Sequence, residues 1–249
     1  MLKLSKKDLM YNFKICIPSK GRAGLITTTD IFKSATLYVP ASEVEQYKIY
    51  KNNIVGIPND VRGITATRNW ILKNNTCDVF FIDDDLQYGG YIERTETKYK
   101  VKRVKDEVVY MDEIKTLFDV CNQMGAKICG LFTVGNNLTN YNWKPYLFNG
   151  ICLGSCMGII NDGSYYFDET YEVKEDYELT LRNIKELGVT VRSNILFMQH
   201  EHTQMEGGCR DSKRVEKEKD AIKRLVVQYP NMIKKAVHRG TGFAIQLNI

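Results

Sequence analysis

The apolar run Val79-Phe-Phe-Ile82 leads directly into three carboxylates, Asp83-Asp84-Asp85. A strand with one solvated face alternates apolar and polar residues, so an unbroken apolar run marks a strand covered on both faces, as in a mainly parallel sheet between helical layers. Parallel strands need crossover connections, usually helices, and the chain must be long enough to bury two faces. With 249 residues, 43% of them hydrophobic, this chain can do so as one large α/β unit or two small ones. The same figures exclude a disordered or fibrous architecture.

The surrounding pattern agrees. Phe13 to Ile17, closed by Pro18-Ser19-Lys20-Gly21, Thr36 to Val39, and Asn53 to Ile57, ended by Pro58, read as short strands. Thr65 to Asn74 reads as a helix with Ala66, Trp70 and Ile71 on one face and Thr65 as cap. Asp112 to Met124 places Ile114, Leu117, Phe118, Cys121 and Met124 at helical spacing and stops at Gly125. Strands are expected at Lys127 to Val134, Gly150 to Ile160 and Val189 to Met198. Glu175 to Leu187 reads as an amphipathic helix with Leu181, Ile184 and Leu187 inward, and Asp211 to Gln228 as a long charged helix. The expected fold is α/β: parallel strands with helical crossovers, plus an antiparallel addition in the second half.

The longest uncharged apolar stretch, Ile151 to Ile160, contains Gly and Ser and is about half the length a membrane helix needs, so no spanning segment is expected. The N-terminus is interrupted by charge and lacks the apolar core of a secretory signal. The seven cysteines are odd in number and contain no CxxC pair, which suggests reduced thiols and a cytoplasmic location.

Acids at the exit of a buried strand demand a reason. Along an extended chain Asp83 and Asp85 project to one side and Asp84 to the other, so the first two could share a hard cation such as Mg²⁺ or Mn²⁺; the alternative is a solvated acidic turn. The turn Pro18-Ser19-Lys20-Gly21-Arg22 could admit a phosphate, or be an ordinary strand-to-helix turn. Arg68, in Gly63-Ile-Thr-Ala-Thr-Arg68-Asn69, would be buried near the strand ends if the helix packs by its apolar face, and would then need the acids or a phosphate as partner. Glu175-Asp176 opens a helix, where negative charge is favoured by the dipole and where a general base could also sit. His200 and His202, two apart at a strand end, could complete a metal site or be polar strand-end residues.

Taken in order, the P-S-K-G-R turn, the G-x-x-x-x-R-N helix, F-I-D-D-D, E-D at a helix start and a late His resemble GT-A-type nucleotide-sugar glycosyltransferases. Chain size, the IPSKGRAG start and the TRNxIL…FxDDD block narrow the resemblance to phage-encoded TET-associated glycosyltransferases, which are held to decorate hydroxymethylated pyrimidines in DNA. The resemblance implies a single GT-A domain, residues 1–249, with a Rossmann-like, mainly parallel sheet, a basic insertion at about 91–110 and a helical tail at about 211–249. It implies a UDP-sugar donor and Mn²⁺ or Mg²⁺. Pro18, Ser19, Lys20, Gly21, Arg22, Arg68, Asp83 and Asp84 would hold the nucleotide, and Asp83, Asp85 and His202, or else His200, the metal. Asp176, with Glu175 beside it, would be the base of an inverting transfer. The location implied is the bacterial host cytoplasm, with no membrane partner. No oligomeric state follows.

The net charge is +5, and Lys98 to Lys105 carries five basic residues and no acid, accounting for the whole excess. Interleaved with Tyr99 and flanked by Tyr91 and Tyr110, this segment suits a DNA acceptor; a lysine-protected edge strand is the other reading. Gly207 through Arg214 could form a lid. Rival functions are transfer to a cell-surface glycan or protein, a nucleotidyltransferase of similar fold, and a non-enzymatic nucleic-acid-binding module, the last disfavoured because clustered acids repel phosphate.

Overall fold

The structure of the protein, a computed structural model, describes residues 12–94, 99–133, 144–200, 214–239 and 242–248. Strands β1 (Phe13–Pro18), β2 (Thr36–Pro40), β3 (Asn53–Ile57) and β4 (Asp78–Ile82) pair in parallel in the order β3-β2-β1-β4. Beyond β4 the sheet is mixed. Strand β9 (Cys156–Ile159) runs antiparallel between β4 and β7 (Ile128–Thr133), and β10 (Val191–His200) lies parallel to β7. The hairpin β5 (Leu86–Arg94) and β6 (Tyr99–Val104) adds antiparallel to β10 and forms the far edge, while the short β8 (Tyr146–Leu147) pairs with β10.

Strand β4 shows why its sequence is continuously apolar. Phe80 and Ile82 enter one core with Ile15 and Ile17 of β1 and with Ile114, Leu117 and Phe118 of α3 (Glu107–Met124). Val79 and Phe81 enter the opposite core with Ile71 and Leu72 of α2 (Ile64–Lys73) and Leu179 of α4 (Glu175–Leu187). Outside α4, a third cluster joins Tyr171 and Leu181 to Ile222 and Leu225 of α5 (Arg214–Gln228).

Several expectations are corrected. Helix α3 begins five residues before the expected Asp112, because the Asp106 side chain accepts from the Val108 N–H at 3.0 Å and caps it. The helix at 64–73 is capped by Gly63 at φ 85°, while the Thr65 hydroxyl donates to the Tyr171 carbonyl at 2.8 Å instead. Its buried face carries Arg68, Asn69, Ile71 and Leu72, whereas Ala66 and Trp70 are half-buried. Asn69 sets that rotation, since it bonds both the N–H and the carbonyl of Phe167. Leu187 and Met124, expected inward, are exposed. The expected strand at Gly150 to Ile160 shrinks to β9, because Gly150 and Gly154 lie against the guanidinium groups of Arg192 and Arg68 instead of in the ladder. The tail is not wholly helical: α5 is followed by an antiparallel hairpin, β11 (Ile233–Arg239) and β12 (Gly242–Leu247).

Candidate active site

The sequence-marked groups gather beyond the carboxyl ends of β1, β4 and β10, with the start of α4 beside them. Strand β4 ends at Ile82 and β5 begins at Leu86, so Asp83 to Asp85 form a turn and strand alternation does not govern them. Asp84 and Asp85 both approach Arg22, while Asp83 and Asp85 both act on His200. Arg22 Nη1 lies 2.5 Å from Asp84 Oδ1 and 3.9 Å from Asp85 Oδ2. Asp84 also accepts from the Ser19 hydroxyl at 2.6 Å, and burial lifts its carboxyl above the usual range despite both partners. Asp83, the most open of the three, pairs instead with Arg68 at 3.1 Å.

Arg68 is buried, as packing by the helix requires, and it answers both acidic groups. Its Nη1 lies 2.6 Å from Glu175 Oε1 and its Nη2 donates to the Gly154 carbonyl at 2.9 Å. The guanidinium is flanked by the rings of Phe81 and Phe167 at 5.7 and 5.6 Å. Removing a charge from water is costly unless it is paired, and here two carboxylates and a carbonyl supply the pairing. Glu175 is buried too. Burial, then the neighbouring Asp176, push its carboxyl up to about 7 against the opposing pull of Arg68. Asp176 is half-buried, and its Oδ2 accepts from the Gly154 N–H at 2.9 Å. Lys174, immediately before the pair, adopts φ 62°, and its ammonium lies 3.6 Å from the buried Glu218 of α5.

His200 is fully enclosed between two partners. Its Nδ1 is 3.2 Å from Asp85 Oδ1 and its Nε2 is 3.2 Å from Cys156 Sγ. Burial alone would depress the imidazolium, but Cys156 and Asp85 outweigh it and raise the pKa to about 10. Among the described residues no group of three His, Cys, Asp or Glu side chains is arranged to hold a metal. Of the sequence-marked ligands the described residues bring two together, Asp85 and His200, 3.2 Å apart as an ion pair. His202 and the expected lid up to residue 213 lie outside the described residues.

In the first turn Pro18 and Ser19 are buried while Lys20 and Gly21 are exposed, Gly21 at φ 65°. Arg22 is therefore held as an ion-pair partner of Asp84 at the edge of the site. Sequence reasoning missed Thr28, whose hydroxyl donates to the Asp83 carbonyl at 2.6 Å and accepts from the Leu86 N–H at 3.0 Å, fixing the acidic turn. It also missed Tyr47, whose hydroxyl meets Ser19 at 3.1 Å and accepts from the Arg22 N–H at 3.0 Å. Neither residue belongs to a local motif, and both reach the site only through the fold.

A family model of TET-associated glycosyltransferases matches residues 13–208, the span that contains this whole arrangement. The chain belongs to that family. Among solved structures, S. aureus TarS 1–349 in complex with UDP-GlcNAc aligns at a TM-score of 0.51 with 11% identity, over 86% of this chain and 66% of that one. S. aureus TarS 1–349 alone aligns at 0.48 with 12% identity, over 75% and 60%. The likeness to the first is one of fold, and this chain spans 60% and 66% of those two TarS chains. No curated protein matches the chain. In this TET-associated glycosyltransferase the mixed, mainly parallel sheet flanked by helices agrees with the expected GT-A class. Among its described residues no helix is long and apolar enough to cross a membrane.

Proposed function

We propose that the chain transfers a sugar from a UDP-sugar onto the hydroxyl of a hydroxymethylated pyrimidine base in DNA, with inversion at the anomeric carbon. The observation that carries this reading is the gathering of Asp83, Asp85, Arg68 and Asp176 at one end of the sheet in a chain of the TET-associated glycosyltransferase family. Ligands of open α/β sheets bind in just such a place, beyond the strand ends. The UDP-GlcNAc complex of TarS supports UDP as the nucleotide carrier.

Asp176 is the base. It is half-open, whereas Glu175 is buried and committed to Arg68. The two carboxylate oxygens of Asp176 accept from the Gly154 and Tyr177 N–H groups, which orients the group to take the proton of the acceptor hydroxyl on a remaining lone pair as that hydroxyl oxygen attacks. Arg68 keeps Glu175 and Asp83 in register, and Arg22 with Ser19 does the same for Asp84. Asp85 and His200, with His202 two residues on, are the groups that would hold Mn²⁺ or Mg²⁺. When bound, such a cation supplies Lewis-acid stabilisation of the charge on the departing diphosphate. The exposed residues Lys100, Lys102, Arg103 and Lys105 on and beside β6 supply phosphate contacts for duplex or single-stranded DNA.

The test is incubation with hydroxymethylated DNA, Mn²⁺ and a panel of UDP-sugars, followed by mass analysis of the digested nucleosides. A mass gain of one sugar on the modified base, with release of UDP, is expected. Sugar transfer to glycan or protein but to no DNA would overturn the acceptor; release of pyrophosphate instead of UDP would overturn the reaction.

A further inference from the structure

The buried Arg68 and the half-buried Arg22 and Arg182 are answered by carboxylates: Arg22 by Asp84, Arg68 by Asp83 and Glu175, Arg182 by Glu178; Arg192 is half-buried as well. Arg192 of β10 is the exception. Among the described residues no acid pairs with it. Its Nη1 donates to the Ile151 carbonyl at 3.1 Å, its guanidinium lies 5.5 Å from the centre of the Phe132 ring, and its Nε is buried without an acceptor. Burial draws its pKa down. The nearest opposing group is the Cys152 thiol, which burial pushes up to about 12 and so leaves neutral. A guanidinium kept in this state carries an uncompensated desolvation cost and a spare donor, the condition of a group that meets its counter-charge in a ligand.

Its position says which ligand. The segment from Ile151, which receives Arg192, to Gly154, whose N–H holds Asp176, is four residues long, and its three steps span at most about 11 Å. Arg192 and the base are thus held by one short segment and both act electrostatically on Cys152 within it. From Arg192 the half-buried Phe132 leads through Phe197 to Tyr88, and Arg103 of the basic hairpin lies over the Tyr88 ring at 4.3 Å. An arginine thus stands at each end of an aromatic row that crosses toward the hairpin; the middle ring, Phe197, is buried, so the row sets the spacing of the two cations, which suit the phosphates of a nucleic-acid backbone.

We infer that Arg192 forms a phosphate subsite on the acceptor side of the site, engaging a backbone phosphate of the strand whose base is presented to Asp176. This rests on the acceptor reading above.

Two measurements test it separately from that reading. In the wild-type chain, phenylglyoxal modification read by peptide mass should be blocked at Arg192 by inorganic phosphate and, more strongly, by an unmodified oligonucleotide. Failure of both to protect overturns the subsite, whatever happens to catalysis. In kinetics, Arg192→Gln should raise the acceptor KM about ten-fold and reduce the slope of log KM against log salt by about 1, while kcat and acceptor-free UDP-sugar hydrolysis stay unchanged. Arg192→Lys should retain the slope. A rise in donor KM with the acceptor KM unchanged would overturn the assignment by moving the anion to the donor. Protection by phosphate in a chain that glycosylates no DNA would sink the acceptor and leave the subsite standing.

Discussion

Adjacent carboxylates at the start of α4 differ because the fold gives them different surroundings. Glu175 is enclosed and paired with Arg68, so its ionised form is tied to structure; Asp176 retains solvent access and accepts only from two backbone donors, the N–H groups of Gly154 and Tyr177. The proposed general base is worth about 10² to 10⁴ in rate. Asp176→Asn should therefore lower kcat by that factor and leave UDP-sugar binding by calorimetry unchanged, since the amide keeps the shape of the side chain, although its one oxygen can serve only one of the two N–H donors, Gly154 and Tyr177. Full activity in that variant would remove Asp176 from the chemistry. The burial of Arg68 was legible from the sequence, because a helix packing on β4 had to bring it toward acids. The partition of the three aspartates was not. Alternation assumes that the strand continues, and the turn held by Thr28 ends it at Ile82, sending Asp83 to Arg68 and Asp84 to Arg22.

At the scale of elements, runs that carry their own boundary signals were readable. Asn53–Ile57 before Pro58 and Glu175–Leu187 before Gly188 fall where the sequence marks them. Strand β9 was less so, since it runs antiparallel between two strands distant in sequence and needs Gly158 to let Phe80 and Phe118 approach its bare backbone. The basic segment is part of an edge hairpin, which accommodates both readings of it: Lys on an edge strand discourages further pairing, and the same side chains face outward for a partner. The acceptor reading separates them by salt. Lys100→Ala, Lys102→Ala and Arg103→Ala together should weaken binding to duplex DNA in fluorescence anisotropy, and flatten its log–log salt dependence by about 0.9 for each phosphate contact removed. Because the three side chains are exposed, the thermal midpoint should move little. Unchanged affinity and slope would leave only the edge-protecting role.

Across the whole molecule, the segment after β10 returns to brace the helix that bears the base. Buried Glu178 of α4 takes a hydrogen bond from the Tyr229 hydroxyl at 3.0 Å and is paired with Arg182 at 3.1 Å, while Lys174 at the start of the helix meets Glu218 of α5. Leu225 lies at the middle of this contact with no exposure. It packs in a cluster with Tyr171 and Leu181 that is separate from the two sheet cores. If the C-terminal unit shares the cooperative fold, Leu225→Ala should cost about 2 to 5 kcal/mol in denaturant titrations, the range for a leucine truncated in a packed core. The unfolding transition should remain single, because α4 belongs to both the central sheet and this outer cluster through Leu179 and Leu181. A loss below about 1 kcal/mol, or a separate early transition, would mean that the C-terminal unit opens by itself. The strained Lys174 would then have to be held without Glu218, by the Tyr177 ring 5.0 Å from its ammonium and the first turn of α4.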